Sequence, residues 1–188
     1  VYEDFTPNVE IYSIDECFLD FTGFPDREAH AHALRAAVLR RIGVPVRIGI
    51  APTKTLAKCA NEIAKKNPIF DGVLDLMDDA LADWLLSKVA VGDIWGIGRR
   101  TDAKLAHLGI RTAAELRDMP LRQARQLGTV VLERTVLELQ GEPCLSFEDV
   151  APQRKGMAVT RSAGTPMTDF DTLFQAVTAH ATRAAEKL

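Results

Sequence analysis

The chain has 188 residues, of which 47% are hydrophobic and 26% charged, with a formal net charge of −3. That is globular composition, and 12 glycines with 9 prolines are too few for a collagenous or low-complexity chain. No apolar run reaches the roughly 18 residues that span a bilayer, and no signal-peptide pattern opens the sequence.

Three scattered cysteines, Cys17, Cys59 and Cys144, lack a C-x-x-C pair, which argues against a zinc site or a disulfide framework and for a reducing cytosol. His30 and His32 lie two apart on an expected helix, share no face, and read as solvated surface residues. The first residue is Val1 and already sits in a strand-like segment, so the sequence is expected to be part of a longer protein. Charge is segregated along the chain. Residues 1–34 sum to −7, 35–66 to +7, 67–95 to −5, 96–128 to +4 and the remainder to −2. Two basic blocks in an acidic chain point to local polyanion contacts, the alternative being solvated faces.

In chain order, 9–21 is rich in β-branched and aromatic residues and reads as strand. Residues 27–42 form an Ala/Leu/Arg-rich helix with Leu34, Ala37, Val38 and Ile42 on one face. Residues 46–50 are a short strand. Residues 53–66 are a helix, with Leu56, Cys59, Ala60 and Ile63 at i, i+3, i+4, i+7, and 72–76 form another strand. This alternation predicts an α/β layer. Beyond Leu76 the chain is helical. A helix capped by Asp78 or Asp79 is expected to bury Leu81, Trp84, Leu85 and Val89. Short helices follow at about 99–108, 113–118 and 121–127, the second opened by a Thr112/Glu115 capping box. A longer helix at about 130–140 buries Leu132, Val136 and Leu139. A linker over 142–156, a strand over 157–162 and a helix over about 170–187 complete the prediction.

Asp15 and Glu16 are adjacent carboxylates inside the first apolar segment. In one continuous strand they point to opposite faces. They can approach the same cation only if the chain turns there, with 10–14 and 18–21 as hairpin arms. Such a tip suits Mg²⁺, a hard ion that takes oxygen ligands; the alternative is an ordinary acidic turn. On the helix 53–66, Lys54, Lys58, Asn61 and Lys65 form a stripe opposite the apolar face, suited to phosphates or simply solvated. Ile94-Trp95-Gly96-Ile97-Gly98 followed by a helix fits a helix–hairpin–helix. Its glycines allow a turn whose amides meet a DNA phosphate, with Arg99, Arg100 and Lys104 beside it. A structural helical turn is the alternative.

The runs Ser13-Ile14-Asp15-Glu16-Cys17-Phe18-Leu19-Asp20, Gly49-Ile50-Ala51-Pro52-Thr53-Lys54-Thr55-Leu56-Ala57-Lys58 and Ile94-Trp95-Gly96-Ile97-Gly98 resemble, in order and spacing, Y-family translesion DNA polymerases of the UmuC/ImpB/MucB/SamB type. The likeness continues through Val131–Thr135, Gly141–Leu145, Arg161-Ser162 and Ala184–Leu188, and so covers essentially the whole chain. The resemblance implies an α/β (α+β) palm remnant over 1–76 and an all-α thumb with a helix–hairpin–helix over 77–142. A linker over 143–156 and a truncated little-finger domain over 157–188 would follow.

Asp15 and Glu16 would be catalytic metal ligands in a two-Mg²⁺ nucleotidyl transfer. Lys65, with Lys54 and Lys58 beside it, would bind the nucleotide triphosphate. Gly96, Ile97, Gly98, Arg99, Arg100 and Lys104 would hold DNA without reading its sequence. Primer–template DNA and dNTP would be partners, with a sliding clamp and accessory SOS proteins joining the full-length, cytoplasmic protein; no membrane is expected. The resemblance also implies a metal-binding aspartate in a D-x-N-x-F-type motif on an N-terminal strand, and fingers. Neither precedes Asp15, so the isolated chain is expected to be inactive in DNA synthesis. Its exposed sheet edges are expected to invite dimerisation. Two other functions compete: a non-catalytic helix–hairpin–helix DNA-binding module, and a palm-type nucleotidyl cyclase, which gives no reason for the downstream hairpin.

Overall fold

The protein is described here by a computed structural model, over residues 1–147 and 156–187. The chain divides into two compact units, Val1–Asp149 and Val150–Leu188.

In the first unit, the segment 9–21 is a hairpin. Strand β1 (Val9–Ile11) pairs antiparallel with β2 (Cys17–Leu19), in the register Val9 to Leu19 and Ile11 to Cys17. The amide N–H groups of Tyr12 and Ser13 both donate to the Glu16 carbonyl and close the tip. The expected arms were longer: Ile14 lies in the tip and is fully exposed. An apolar residue reads as strand by propensity, but here turn geometry around Ser13–Glu16 decides.

Helix α1 (Arg27–Ile42) begins at Asp26, whose side chain accepts the Ala29 amide, and ends at Gly43 in the left-handed conformation, φ +80°. It buries Ala31, Leu34 and Val38, whereas Ile42, in its last turn, is 62% exposed. His30 departs from the solvated reading. Its ring packs against Phe5, Phe21 and Phe24 at centroid distances of 4.3–5.3 Å, and Nε2 lies 2.8 Å from the Phe5 carbonyl.

Strand β3 (Ile48–Ile50) pairs in parallel with β4 (Val73–Asp75), and α2 (Lys54–Lys66) is the crossover between them. The two pairs form separate two-stranded sheets rather than one layer. Gly49 fixes the closeness of β3 to α2. A Cβ there would lie 2.2 Å from the Ala57 carbonyl oxygen and 2.3 Å from the Asn61 amide nitrogen, both backbone atoms that cannot yield.

Helix α2 is buried on two sides. Leu56 and Cys59 join the helical core, while Ala60, Ile63 and Ala64 pack with Leu74, Leu76 and Leu85. Cys59 is a core residue, and burial pushes its thiol up to about 12.

Helix α3 (Asp79–Leu86) is capped by Asp78 and buries Ala82, Leu85 and Leu86. Trp84, expected inside, is 60% exposed, because the buried stripe runs one position further round the helix. Helix α4 (Arg99–His107) follows the glycine hairpin. Helix α5 (Ala113–Arg117) opens with the expected capping box, Thr112 accepting from the Glu115 amide and Glu115 from the Thr112 amide.

The two expected helices over 121–140 run on as α6 (Leu121–Leu139), kinked at Gly128 and Thr129, whose backbone angles are non-helical. Leu132, Val136 and Leu139 are buried as expected, and with Leu86, Leu105 and Leu116 they form one core. At about 25 cal/mol per Å², burial of side chains this size outweighs the weak propensity of short helices such as α5.

In the second unit, α7 (Phe170–Ala185) is capped by Asp169. Residues 157–162 are not a strand; among the described residues no strand pairs with them, and an unpaired strand does not persist alone. Most of the expected linker, 148–155, lies outside the described residues.

Candidate nucleic-acid and metal site

The β1–β2 hairpin places Asp15 and Glu16 at its exposed tip. Asp15 Oδ1 accepts the Ser13 hydroxyl at 2.7 Å, which fixes the carboxylate near its own backbone. Glu16 pairs with the ammonium of Lys58, one turn along α2 from Lys54. Lys54 is held more tightly. Its Nζ donates to both carboxylate oxygens of Glu10, at 2.7 and 2.6 Å, and to the Ser146 carbonyl at 2.6 Å. It also sits 5.1 Å from the Phe18 ring centroid and 5.7 Å from that of Phe147. With side chains only 12% and 11% exposed, Lys54 and Glu10 form a largely desolvated ion pair.

The expected lysine stripe is therefore divided. Lys54 and Lys58 are bound by hairpin carboxylates, and Asn61 donates to the Arg47 carbonyl at 2.8 Å. Lys65 remains open, 63% exposed, with only a 3.7 Å contact to Glu62. An exposed pair at that spacing is worth a few tenths of a kcal/mol, so its ammonium is available to an anion.

The tip has the donor chemistry of a Mg²⁺ site: two carboxylates, one of which already holds a cation in the form of the Lys58 ammonium. Among the described residues no group of three or more Asp, Glu, His or Cys side chains converges. Mg²⁺ commonly takes one or two carboxylates and keeps water or substrate phosphate in its remaining positions, so these residues fit it.

At the hairpin, the Ile97 amide donates to the Ile94 carbonyl at 3.0 Å and Gly96 has φ +87°, which only glycine adopts freely. Gly98 is the N-cap of α4 and offers no side-chain cap; its carbonyl accepts the Thr101 amide at 2.9 Å, which leaves the amides of Arg99 and Arg100 without a partner among the described residues. Arg99 and Arg100 are exposed and, among the described residues, make no ion pair or hydrogen bond. Two expected contributors are placed otherwise. Ile97 is 9% exposed and belongs to the core, so only its backbone faces outward. Lys104 Nζ turns back to the Leu127 carbonyl at 3.3 Å.

Two model matches cover this frame: the impB/mucB/samB family over residues 1–62, and the IMS family HHH motif over 78–110, together just over half of the chain. This chain belongs to the impB/mucB/samB family.

Protein UmuC of Salmonella typhimurium is 47% identical over 190 residues, which take in 99% of this chain and 45% of the relative. A protein described as DNA polymerase IV 2, from Mesorhizobium japonicum, is 40% identical over 115 residues, 59% of this chain and 26% of that one. The crystal structure of a DinB family error prone DNA polymerase from Sulfolobus solfataricus matches with a TM-score of 0.63 at 24% identity. It covers 78% of this chain and 44% of that one, and shows the same fold. The chain thus spans about half the length of UmuC.

Sequence reasoning missed three features of the site. Glu10 was not distinguished from its strand neighbours, although a lone acid in an apolar β segment is a signal for a buried partner. Glu138 gave the same signal among the apolar residues of α6. It is 1% exposed and accepts amides from Thr55 (2.9 Å), Cys144 (2.7 Å) and Leu145 (3.1 Å). The third, the partnership of Trp95 with Tyr12, joins residues 83 apart and leaves no local signal.

Proposed function

We propose that this chain is the palm and thumb portion of an error-prone translesion DNA polymerase. The observation that carries the reading is the presence, in one compact unit, of a carboxylate-tipped hairpin and an uncapped glycine hairpin flanked by free arginines. Asp15 and Glu16 would hold Mg²⁺, which would supply Lewis acidity to a primer 3′-hydroxyl and neutralise triphosphate charge. Lys65 draws the triphosphate towards the tip. Backbone amides at Gly96–Arg100, aided by the two guanidiniums, hold the duplex phosphates. These contacts carry no sequence information, which suits a polymerase that accepts damaged templates. Primer–template DNA and dNTP are its substrates. A sliding clamp and accessory SOS proteins are partners of the full-length protein, and self-association through open sheet edges is a further property. No described helix is long and apolar enough to cross a membrane.

A non-catalytic DNA-binding module is the competing reading, and one set of variants separates the two. In full-length protein, Asp15→Asn and Glu16→Gln each lower primer extension at least a hundredfold while changing duplex affinity, measured without Mg²⁺, less than about threefold, since neither carboxylate faces the hairpin phosphates. Arg99→Ala and Arg100→Ala weaken duplex binding. Near-normal extension in either carboxylate variant would leave only the binding module.

A further inference from the structure

We propose that Trp95 is a positioning residue that couples the hairpin holding DNA phosphates to the hairpin carrying Asp15 and Glu16. The inference rests on the polymerase reading for what binds at each end, and on the following contacts for the link between them.

Trp95 lies inside the glycine turn, between Ile94, 2% exposed, and Gly96 at φ +87°. The Ile97-to-Ile94 hydrogen bond spans it, so a shift of the turn carries the Trp95 backbone and the base of its indole with it. Its N–H donates to the Tyr12 hydroxyl at 3.1 Å. The two rings meet edge to face, with centroids 5.3 Å apart and planes at 89°. Phe18 completes a three-ring cluster at 5.8 Å from Tyr12 and 5.9 Å from Trp95.

Tyr12 is also built into the carboxylate tip. Its amide donates to the Glu16 carbonyl at 3.1 Å, and the Lys58 ammonium that pairs with Glu16 lies 5.6 Å from its ring centroid. The route from DNA to cation is therefore short: turn, Trp95, Tyr12, then Glu16 with Lys58.

The coupling has a physical source at each end. A phosphate seated on the Gly96–Arg100 amides shifts the turn that encloses Trp95. The indole-to-hydroxyl bond begins at 3.1 Å and is lost when stretched past about 3.5 Å. At the other end, a divalent cation on Glu16 displaces the Lys58 ammonium and removes its attraction to the face of Tyr12. Each ligand thus acts differently on the made and broken states of one contact, which is what coupling requires, and the effect must be reciprocal.

The chain has two tryptophans, and Trp84 is 60% exposed on α3, so Trp84→Phe leaves Trp95 as the sole reporter. In that protein, Mg²⁺ added without DNA changes Trp95 emission. Saturating duplex then moves the midpoint of this response about fivefold. Tyr12→Phe keeps the ring and removes only the acceptor hydroxyl. It abolishes the Mg²⁺ response of Trp95, while calorimetry shows that Mg²⁺ still binds and that saturating duplex moves the calorimetric midpoint less than twofold.

A Mg²⁺ response that persists unchanged in Tyr12→Phe, or Mg²⁺ binding without any response in the parent, overturns the coupling and leaves the polymerase reading standing. Absence of both Mg²⁺ heat and duplex anisotropy, in a chain with native circular dichroism, overturns that reading and the coupling with it.

Discussion

A carboxylate buried to 1% exposure in a helical core demands an explanation, and Glu138 has one. Its two oxygens gather three backbone amides, from the start of α2 and from residues 144–145, while its own carbonyl accepts the Thr53 hydroxyl at 2.7 Å. One residue of α6 therefore fixes both the N-terminus of the helix that carries Lys54, Lys58 and Lys65 and the segment that follows α6. An anionic acceptor at a helix N-terminus also matches the helix dipole. Glu138→Ala leaves all three donors without a partner, each at a cost of about 1–3 kcal/mol before relaxation, and we expect a net loss of about 3 kcal/mol in urea unfolding. Glu138→Gln retains one oxygen but turns an amide N–H towards another donor, and is expected to lose about half as much. A loss below about 1 kcal/mol for the alanine variant would show that water replaces the carboxylate. Glu10 and Lys54 follow the same logic as a pair. Removing either strands a charge in a largely desolvated place, whereas the surface pair of Lys65 and Glu62 is dispensable.

At the scale of elements, helix ends carry information that strand ends lack. The Thr112–Glu115 capping box was legible because both halves of its hydrogen-bonding lie within four residues. Its electrostatics are equally local: amide donations from Arg111 and Thr112 hold the Glu115 carboxyl below the ordinary glutamate value. A carboxyl whose value is lower in the folded state stabilises the fold above its unfolded value and loses that contribution as pH falls through the folded one. Glu115→Gln is therefore expected to flatten the acid side of the stability–pH profile without moving the alkaline side. An unchanged acid limb in thermal melts would show the box to be uncoupled from global unfolding. The range of α1 and the buried faces of α2 and α6 were legible for the same reason, since a 3.6-residue period needs no partner to be seen. Trp84 and Ile42 misled because apolar side chains are assigned inward although the neighbouring surface ends before reaching them. The strand expected at 157–162 needed a partner that no local pattern supplies. The site divides along the same line. Asp15, Glu16 and the glycine hairpin were readable from adjacent residues, whereas the carboxylates that claim Lys54 and Lys58, and the Trp95–Tyr12 bond, exist only once a hairpin folds over α2.

Across the whole molecule, charge blocks of opposite sign that look like separate faces in the sequence are partly neutralised against each other on folding. The acidic first block supplies Glu10 and Glu16, and the basic second block answers with Lys54 and Lys58. Under the proposed function, this pairing limits how DNA would be held. Among the described residues, the Lys and Arg side chains left open on the hairpin, α4 and α2 are Arg99, Arg100 and Lys65, with Lys104 turned to a carbonyl. Each phosphate neutralised releases condensed counterions, and log K falls with log salt at about 0.9 per contact on duplex DNA. Three open cations therefore predict a slope of about −3 for this chain on a primer–template duplex, measured by fluorescence anisotropy across a salt titration. A slope of about −4.5 or steeper would mean that Lys54 and Lys58 abandon their carboxylates for phosphate when DNA arrives, dissolving the ion pairs that order the tip. The same measurement bears on catalysis. If Lys58 stays with Glu16 in the duplex complex, the tip keeps its internal cation until metal and nucleotide arrive together. The 188-residue chain, with adjacent carboxylates at the tip and no group of three or more acidic, histidine or cysteine ligands among its described residues, then binds duplex without extending it. Incorporation of a single templated dNTP by the purified chain would refute that expectation, and would require a metal ligand that water and substrate phosphate provide unaided.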